Sequence, residues 1–215
     1  NLNGAFFQSN NAVAGQAGNF NVTSTGTGSN AYMDVVVNIG NFPTNVAPVF
    51  GTLTSSTNSI APGGTVTLTA AVTDANNDNL AYFWDFGDAS VSTNSPVVSH
   101  TFASAGEYVV RCVATDMKGG TASKSLVITV GTPGTFRISG IVRFANSVPV
   151  ADARVDDGNG GFSYTDSQGR FALVNLPNAT YNLGVWRDGY HFEPFNLGST
   201  SVAINNSDDT NVVWI

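Results

Sequence analysis

Four side chains carry the oxygens that a divalent cation would need: Asp74, Asn76, Asp78 and Asp116. Calcium takes about six to eight oxygen ligands from carboxylates, amides and carbonyls. The run Asp74-Ala75-Asn76-Asn77-Asp78 offers three at alternate positions, without the full spacing and closing Glu of an EF-hand loop. The same residue types also make Asx turns by bonding their own backbone, so the run reads either way. Asp85 and Asp88 are a second pair of carboxylates, of the kind used in acid–base work. Asp85 falls inside a strand pattern, however, and Asp88 opens a turn, so both read as structural. Cys112 is the one cysteine, and His100 and His191 are the only histidines. Neither histidine sits in a motif, and a thiol without a partnered base is no nucleophile. Cys112 therefore reads as a small core hydrophobe. No catalytic constellation emerges, and a non-enzyme is expected.

The elements that must position these groups start with Tyr82-Phe83-Trp84-Asp85-Phe86-Gly87-Asp88. Alternation of period two predicts a half-buried strand with Tyr82, Trp84 and Phe86 on one face and Phe83 and Asp85 on the other. Strands are predicted around it at 49–54, 65–73, 97–102, 107–115 and 121–130. Turn signals separate them, among them Pro62-Gly63-Gly64, Asp74–Asn79 and Lys118-Gly119-Gly120. Strands at this spacing predict a β-sandwich. In such a sandwich the loops holding Asp74–Asp78 and Asp116 lie at one end, where the first strand also begins, so the four ligands converge near Asn45.

Bulk composition agrees. Only 11% of the 215 residues are charged, and Gly, Ser, Thr and Asn fill the gap, which suits all-β structure with turns. The net charge of −7 excludes nucleic acid as a partner and permits calcium as a cofactor. A single cysteine excludes an intrachain disulfide. No apolar run approaches the length of a membrane span, so no membrane insertion is expected. No basic region followed by an apolar one opens the chain; for a secreted protein, its leader is removed or lies outside this sequence.

The fold class expected is all-β: tandem Ig-like β-sandwiches at 47–131 and 132–215, preceded by an N-terminal β segment at 1–46. That segment reads as strands at Ala5–Gln8, Asn19–Ser24 and Ala31–Ile39. Asp34 is the only charge before Asp74. About three strands do not bury a core alone, and a charge-poor edge lacks the usual protection against pairing with other chains. Either the segment is the tail of an upstream domain, or it is an extra sheet docked on the next domain, or it completes a sheet in another subunit. In the last case Phe6, Phe7, Phe20, Val35 and Val37 are the apolar contacts. Phe42–Pro48 and Thr132–Thr135 are linkers, stiffened by proline.

Two resemblances follow from quoted runs. Asp74–Asp78, Tyr82–Asp88, His100-Thr101-Phe102, Gly106–Val110 and Ala114-Thr115-Asp116 together resemble a PKD (polycystic-kidney-disease) domain. The resemblance implies an Ig-like sandwich, extracellular use, Asp85 and Asp88 as turn-holding residues, and calcium in some members. Ile138-Ser139-Gly140, Val150–Val155, Thr165–Phe171, Leu176-Pro177, Tyr181-Asn182-Leu183 and Gly189-Tyr190 resemble the carboxypeptidase regulatory-like fold, the transthyretin-like or Cna B-type sandwich. Some Cna B-type domains carry a Lys–Asn isopeptide bond, but residues 132–215 hold no lysine, so none is expected there. Tyr190, Phe192, Phe195, Trp186 and Trp214 are either core aromatics or a sugar-stacking platform, with Trp186 and Tyr190 matching core positions of that family.

The functional expectation is a non-catalytic structural protein outside the cell or on its surface. It would be a subunit of a fibre, stalk or adhesive layer assembling with copies of itself through residues 1–39. The competing expectation is a C-terminal accessory region of a secreted metallopeptidase or glycan-degrading hydrolase. A polysaccharide or matrix protein is the further partner considered.

Overall fold

The computed structural model describes residues 22–23, 36–37, 44–190, 192 and 200–215. The chain forms two compact units, 1–45 and 46–215. In the first, β1 (Val22–Thr23) and β2 (Val36–Val37) pair antiparallel, with Val22 opposite Val37. The expected strand Ala5–Gln8 lies outside the described residues, as do Phe6, Phe7, Phe20 and Val35; Val37 belongs to β2.

Residues 46–215 hold two separate apolar cores. The first is built by β3 (Val49–Ser55), β4 (Ser59–Ile60), β5 (Gly64–Thr73), β6 (Ala81–Asp85), β7 (Val91–Thr93), β8 (Val97–Phe102), β9 (Gly106–Thr115) and β10 (Thr121–Val130). One sheet runs β4-β10-β9-β6-β7 and the other β3-β5-β8. The period-two pattern is visible in β5, where Val66, Leu68 and Ala70 are buried between exposed threonines. In β6 Trp84 is buried and Phe83 exposed, with Phe86 buried just beyond the strand. The fold class expected from sequence, all-β with Ig-like sandwiches, is the one observed. Two strands escaped the sequence reading. Ser59–Ile60 pairs over two residues with Thr129–Val130, too short to show a period. Val91–Thr93 pairs with β6 just after the turn that Asp88 opens, over three residues only.

The second core is built by β11 (Phe136–Val142), β12 (Arg154–Asp156), β13 (Phe162–Tyr164), β14 (Arg170–Leu176), β15 (Ala179–Asn182), β16 (Gly184–Trp186), β17 (Ser201–Ile204) and β18 (Asp209–Trp214). Its sheets are β14-β11-β18, β13-β12-β16 and β15-β17. Residues 179–186 form two strands that belong to different sheets, β15 and β16. The chain changes sheet at Leu183, a buried residue whose N–H donates to the Thr200 carbonyl at 2.8 Å.

The two sandwiches are tied by more than the 132–135 linker. Asn175 is the key. The β11–β14 register shifts between Phe136 and Ile138, and Asn175 takes a left-handed φ of 60° at that bulge. A bulge re-aims a side chain. Here the Asn175 amide turns onto the backbone of β9: Oδ1 accepts the Glu107 N–H at 2.8 Å, and Nδ2 donates to the Glu107 carbonyl at 2.8 Å. Beside it, the Ser123 N–H donates to Ser167 Oγ at 2.7 Å, and the Ser167 N–H returns a bond to the Ser123 carbonyl at 3.1 Å. Arg111 pairs with Asp152. The turn at 166–168 thus covers, at Ser123, the edge of β10 that faces away from β9 and that β4 reaches only at Thr129–Val130, which is how sheet edges are protected.

Replacing Asn175 with Ala should leave the Glu107 N–H and carbonyl unpaired, at a cost of about 1–3 kcal/mol, and add strain at the left-handed site. Asn175→Gly removes the bonds without the strain. Denaturant titration of both variants is expected to show a lower midpoint, with Gly the milder. An unchanged midpoint for Asn175→Ala would mean that this contact does not hold the sandwiches together.

Candidate functional site

Among the described residues the same turn occurs four times. In each, an aspartate Oδ1 accepts the N–H groups two and four residues ahead. Asp74 accepts from Asn76 and Asp78 at 2.8 and 3.1 Å, and Asp116 from Lys118 and Gly120 at 2.7 and 2.9 Å. Asp157 accepts from Asn159 and Gly161 at 2.7 and 2.9 Å, and Asp166 from Gln168 and Arg170 at 2.9 and 3.0 Å. Asp116-Met-Lys-Gly-Gly120 and Asp157-Gly-Asn-Gly-Gly161 match closely. Both have positive φ at the second and fourth residues, 57° and 103° in one and 74° and 103° in the other. Of the four residues singled out from sequence, Asp74 and Asp116 hold such turns through their own backbone, and Asn76 and Asp78 bond elsewhere.

What sets the first two apart is convergence. Asp74, Asp78 and Asp116 bring one carboxylate oxygen each to within 4.8 Å of one another. The turns use Oδ1 of Asp74. Its Oδ2, and that of Asp78, are buried and accept no hydrogen bond. Lys118 Nζ donates to Asp78 Oδ1 at 2.5 Å. This bond, aided by the charges of Asp78, Asp116 and Asp74, raises the lysine pKa. Three carboxylates against one ammonium leave two negative charges, the complement of a divalent cation. Buried carboxylate oxygens without donors are costly, and an oxygen-seeking cation would relieve them. Gly120 makes room for the cluster: a Cβ there would lie 2.2 Å from Asp116 Oδ2 and 2.7 Å from Ala47 Cα.

Asn76 is placed differently from the other three. Its Oδ1 accepts the Val46 N–H at 2.7 Å, so it anchors the incoming chain beside the cluster. Lys118 and Gly120 were not singled out from sequence, although the Lys-Gly-Gly turn contained both.

The remaining candidates make turn and core contacts. Asp85 Oδ1 accepts the Gly87 N–H at 2.9 Å. Asp88 holds His100 Nε2 at 2.7 Å and the Ser90 N–H at 3.1 Å. Burial pushes the Asp88 pKa up, but the bonds from Ser90 and His100 outweigh it and leave the carboxyl below its ordinary value. The His100 ring stacks on Phe86 at 3.9 Å. Cys112 is fully buried opposite Trp84, and burial pushes its thiol up to about 12, which suits a core residue. The aromatics divide: Trp214 and Phe192 are buried, Trp186 and Tyr190 are exposed, and Phe195 lies outside the described residues. The core assignment of Trp186 and Tyr190 is thus wrong. Trp186 lies on the strand created by the sheet change at Leu183 and faces away from the core, and Tyr190 lies just beyond it.

Two facing sheets, a buried tryptophan on β6 and acidic turns at one end define an Ig-like β-sandwich. Residues 52–130 match the family model of the PKD domain, and the first sandwich is a PKD domain. Over 141 residues the chain is 25% identical to Collagenase ColA of Clostridium perfringens, a match covering 66% of this chain. The chain spans only 11% of that curated relative. Among solved structures, the PKD domain of an M14-like peptidase from Thermoplasmatales archaeon SCGC AB-540-F20 is 27% identical. It covers 41% of this chain and 100% of its own, with a TM-score of 0.37. The PKD1 domain of Vibrio cholerae metalloprotease PrtV is 28% identical, covering 40% of this chain and 100% of its own, with a TM-score of 0.34.

Proposed function

We propose that residues 46–215 are a non-catalytic accessory unit of a secreted hydrolase, a PKD domain joined to a carboxypeptidase regulatory-like module. We further propose that calcium binds Asp74, Asp78 and Asp116. The acidic cluster beside Val46 and Ala47 carries the proposal. It lies against Val46 and Ala47 at the start of the first sandwich, so a cation there would fix that start onto the β5–β6 and β9–β10 turns. The collagenase relative supports an extracellular hydrolase setting. The fibre reading would instead rest on residues 1–39 and on assembly with copies of this chain; the accessory reading draws on residues 46–215 and is preferred. Mass analysis of the native secreted product separates them: a much longer chain with a catalytic segment supports the accessory reading, and a chain close to this length overturns it.

Thermal melts test the cation. A ligand at a hundred times its Kd stabilises by about 2.7 kcal/mol, and 1 kcal/mol moves the Tm of a small domain by roughly 4–8 °C. Calcium at that excess should therefore raise Tm by roughly 11–22 °C over chelator. Asp78→Asn should abolish the rise. Asp166→Asn, in the same turn without the cluster, should keep it. Identical melts in calcium and chelator would sink the cation.

A further inference from the structure

The solvent face of the β13-β12-β16 sheet carries a second, unrelated feature. Register places Tyr164, Arg154 and Trp186 side by side in one row, and Phe162, Asp156 and Gly184 in the next. Val155 and Val185 point the other way, into the core. Phe162, Tyr164 and Trp186 are all exposed, Trp186 at 64%. An exposed tryptophan is usually mobile, but this one is held. Its Nε1–H donates to Asp156 Oδ2 at 2.7 Å, and Asp156 Oδ1 accepts the Gly158 N–H at 3.2 Å. A Cβ at Gly184 would lie 2.9 Å from Trp186 Nε1 and 3.1 Å from both Asp156 oxygens. Gly184 therefore leaves the space that lets the indole reach across its own strand to Asp156. Arg154 Cζ lies 4.7 Å over the Phe162 ring, and the Phe162 and Tyr164 rings meet edge to face at 5.8 Å.

We propose that this face binds a neutral polysaccharide. An apolar aromatic surface that is fixed and left open to solvent marks an interaction site. The C–H face of a pyranose ring stacks on such a surface. Between the aromatics stand one carboxylate, an acceptor, and one guanidinium, a planar donor, which together bond vicinal hydroxyls. Their charges cancel, which matches an uncharged sugar better than an acidic or basic peptide. Two strand spacings of about 4.8 Å each separate Tyr164 from Trp186, about the length of a disaccharide. This site is independent of the acidic cluster and of the accessory reading.

The test uses the 215-residue chain. Trp84 and Trp214 are buried at 0% and 2% exposure, so Trp186 alone among the three tryptophans meets solvent. Fluorescence quenching by acrylamide therefore reports on Trp186. The probes are cellulose, chitin, xylan, laminarin, and, as contrasts, alginate and gelatin. At least one neutral glycan is expected to protect Trp186 from quenching and to retard the protein in affinity electrophoresis. Trp186→Ala should weaken that retardation tenfold or more at an unchanged Tm, and Asp156→Asn should weaken it several-fold. No retardation by any neutral glycan would overturn the proposal. So would binding to alginate or gelatin alone, or wild-type retardation of Trp186→Ala.

Discussion

Trp84→Ala is expected to destabilise the first sandwich by about 3–5 kcal/mol, the range for removing a fully buried large aromatic. Trp84 is completely buried within the core of both sheets, and its indole N–H donates to the Ser95 carbonyl at 2.8 Å. Alanine leaves a cavity and an unpaired carbonyl together. Trp84→Phe refills most of the space and should cost clearly less. Cys112 provides the readout. It faces Trp84 across the β6–β9 pair, is fully buried, and its thiol is pushed up to about 12. Labelling by a thiol reagent near pH 8 must therefore wait for opening. At about 1.4 kcal/mol per decade of opening equilibrium, Trp84→Ala should speed labelling by a hundredfold or more. Equal labelling rates in wild type and variant would show that Trp84 does not close the core over Cys112.

The same thiol sets a pH dependence. Its folded pKa is raised, so its contribution is whole below the unfolded value, about 8.5, and is lost as pH rises from there toward 12. Each pH unit in that window removes up to about 1.4 kcal/mol. Asp88 works in the opposite direction. Its folded pKa is lowered, so its contribution is present above about pH 4 and is lost as pH falls through the folded value. Stability should be greatest between these limits.

Much of the first sandwich could be read from period-two alternation, because long strands with one wet face repeat their signal. Val97–Phe102 and Thr121–Val130 are bounded as expected, and the other long strands differ by a residue or so. The acidic cluster was legible for a related reason: aspartates end strands, and sandwich topology brings particular strand ends together. Asn76 was not separable from its neighbours, because nothing in Asp-Ala-Asn-Asn-Asp says which oxygen meets the incoming chain. The second sandwich was harder. Its strands of three or four residues show little period, and the sheet change at Leu183 decides which side Trp186 faces. Trp186 and Trp214 carry the same hydrophobicity, yet one is exposed and the other buried. Asn175 gave no signal, since a left-handed bulge at a non-glycine residue is set by what its side chain grips across the interface.

Gly140→Ala should be at least as damaging to the second sandwich as Trp84→Ala is to the first. β11 is the central strand of β14-β11-β18, and its register against β18 shifts between Ile138 and Gly140. At that irregularity the two backbones press together. A Cβ on residue 140 would lie 2.0 Å from the Val212 carbonyl oxygen, 2.7 Å from its carbon and 2.9 Å from Val212 Cβ. No flexible side-chain end is there to yield, so β18 itself must move. Val212 and Trp214, both buried in the core, lie on that strand and would move with it. The expected loss is at least about 3 kcal/mol, the upper end of overpacking costs. Gly134→Ala is the matched control, with nothing within 4 Å of the added carbon, and should change stability by less than about 0.5 kcal/mol. Denaturant titrations read by near-ultraviolet circular dichroism would compare the two. If both variants unfold at the wild-type midpoint, the close approach of β11 to β18 is wrong, and Gly140 marks a turn preference instead of a packing demand.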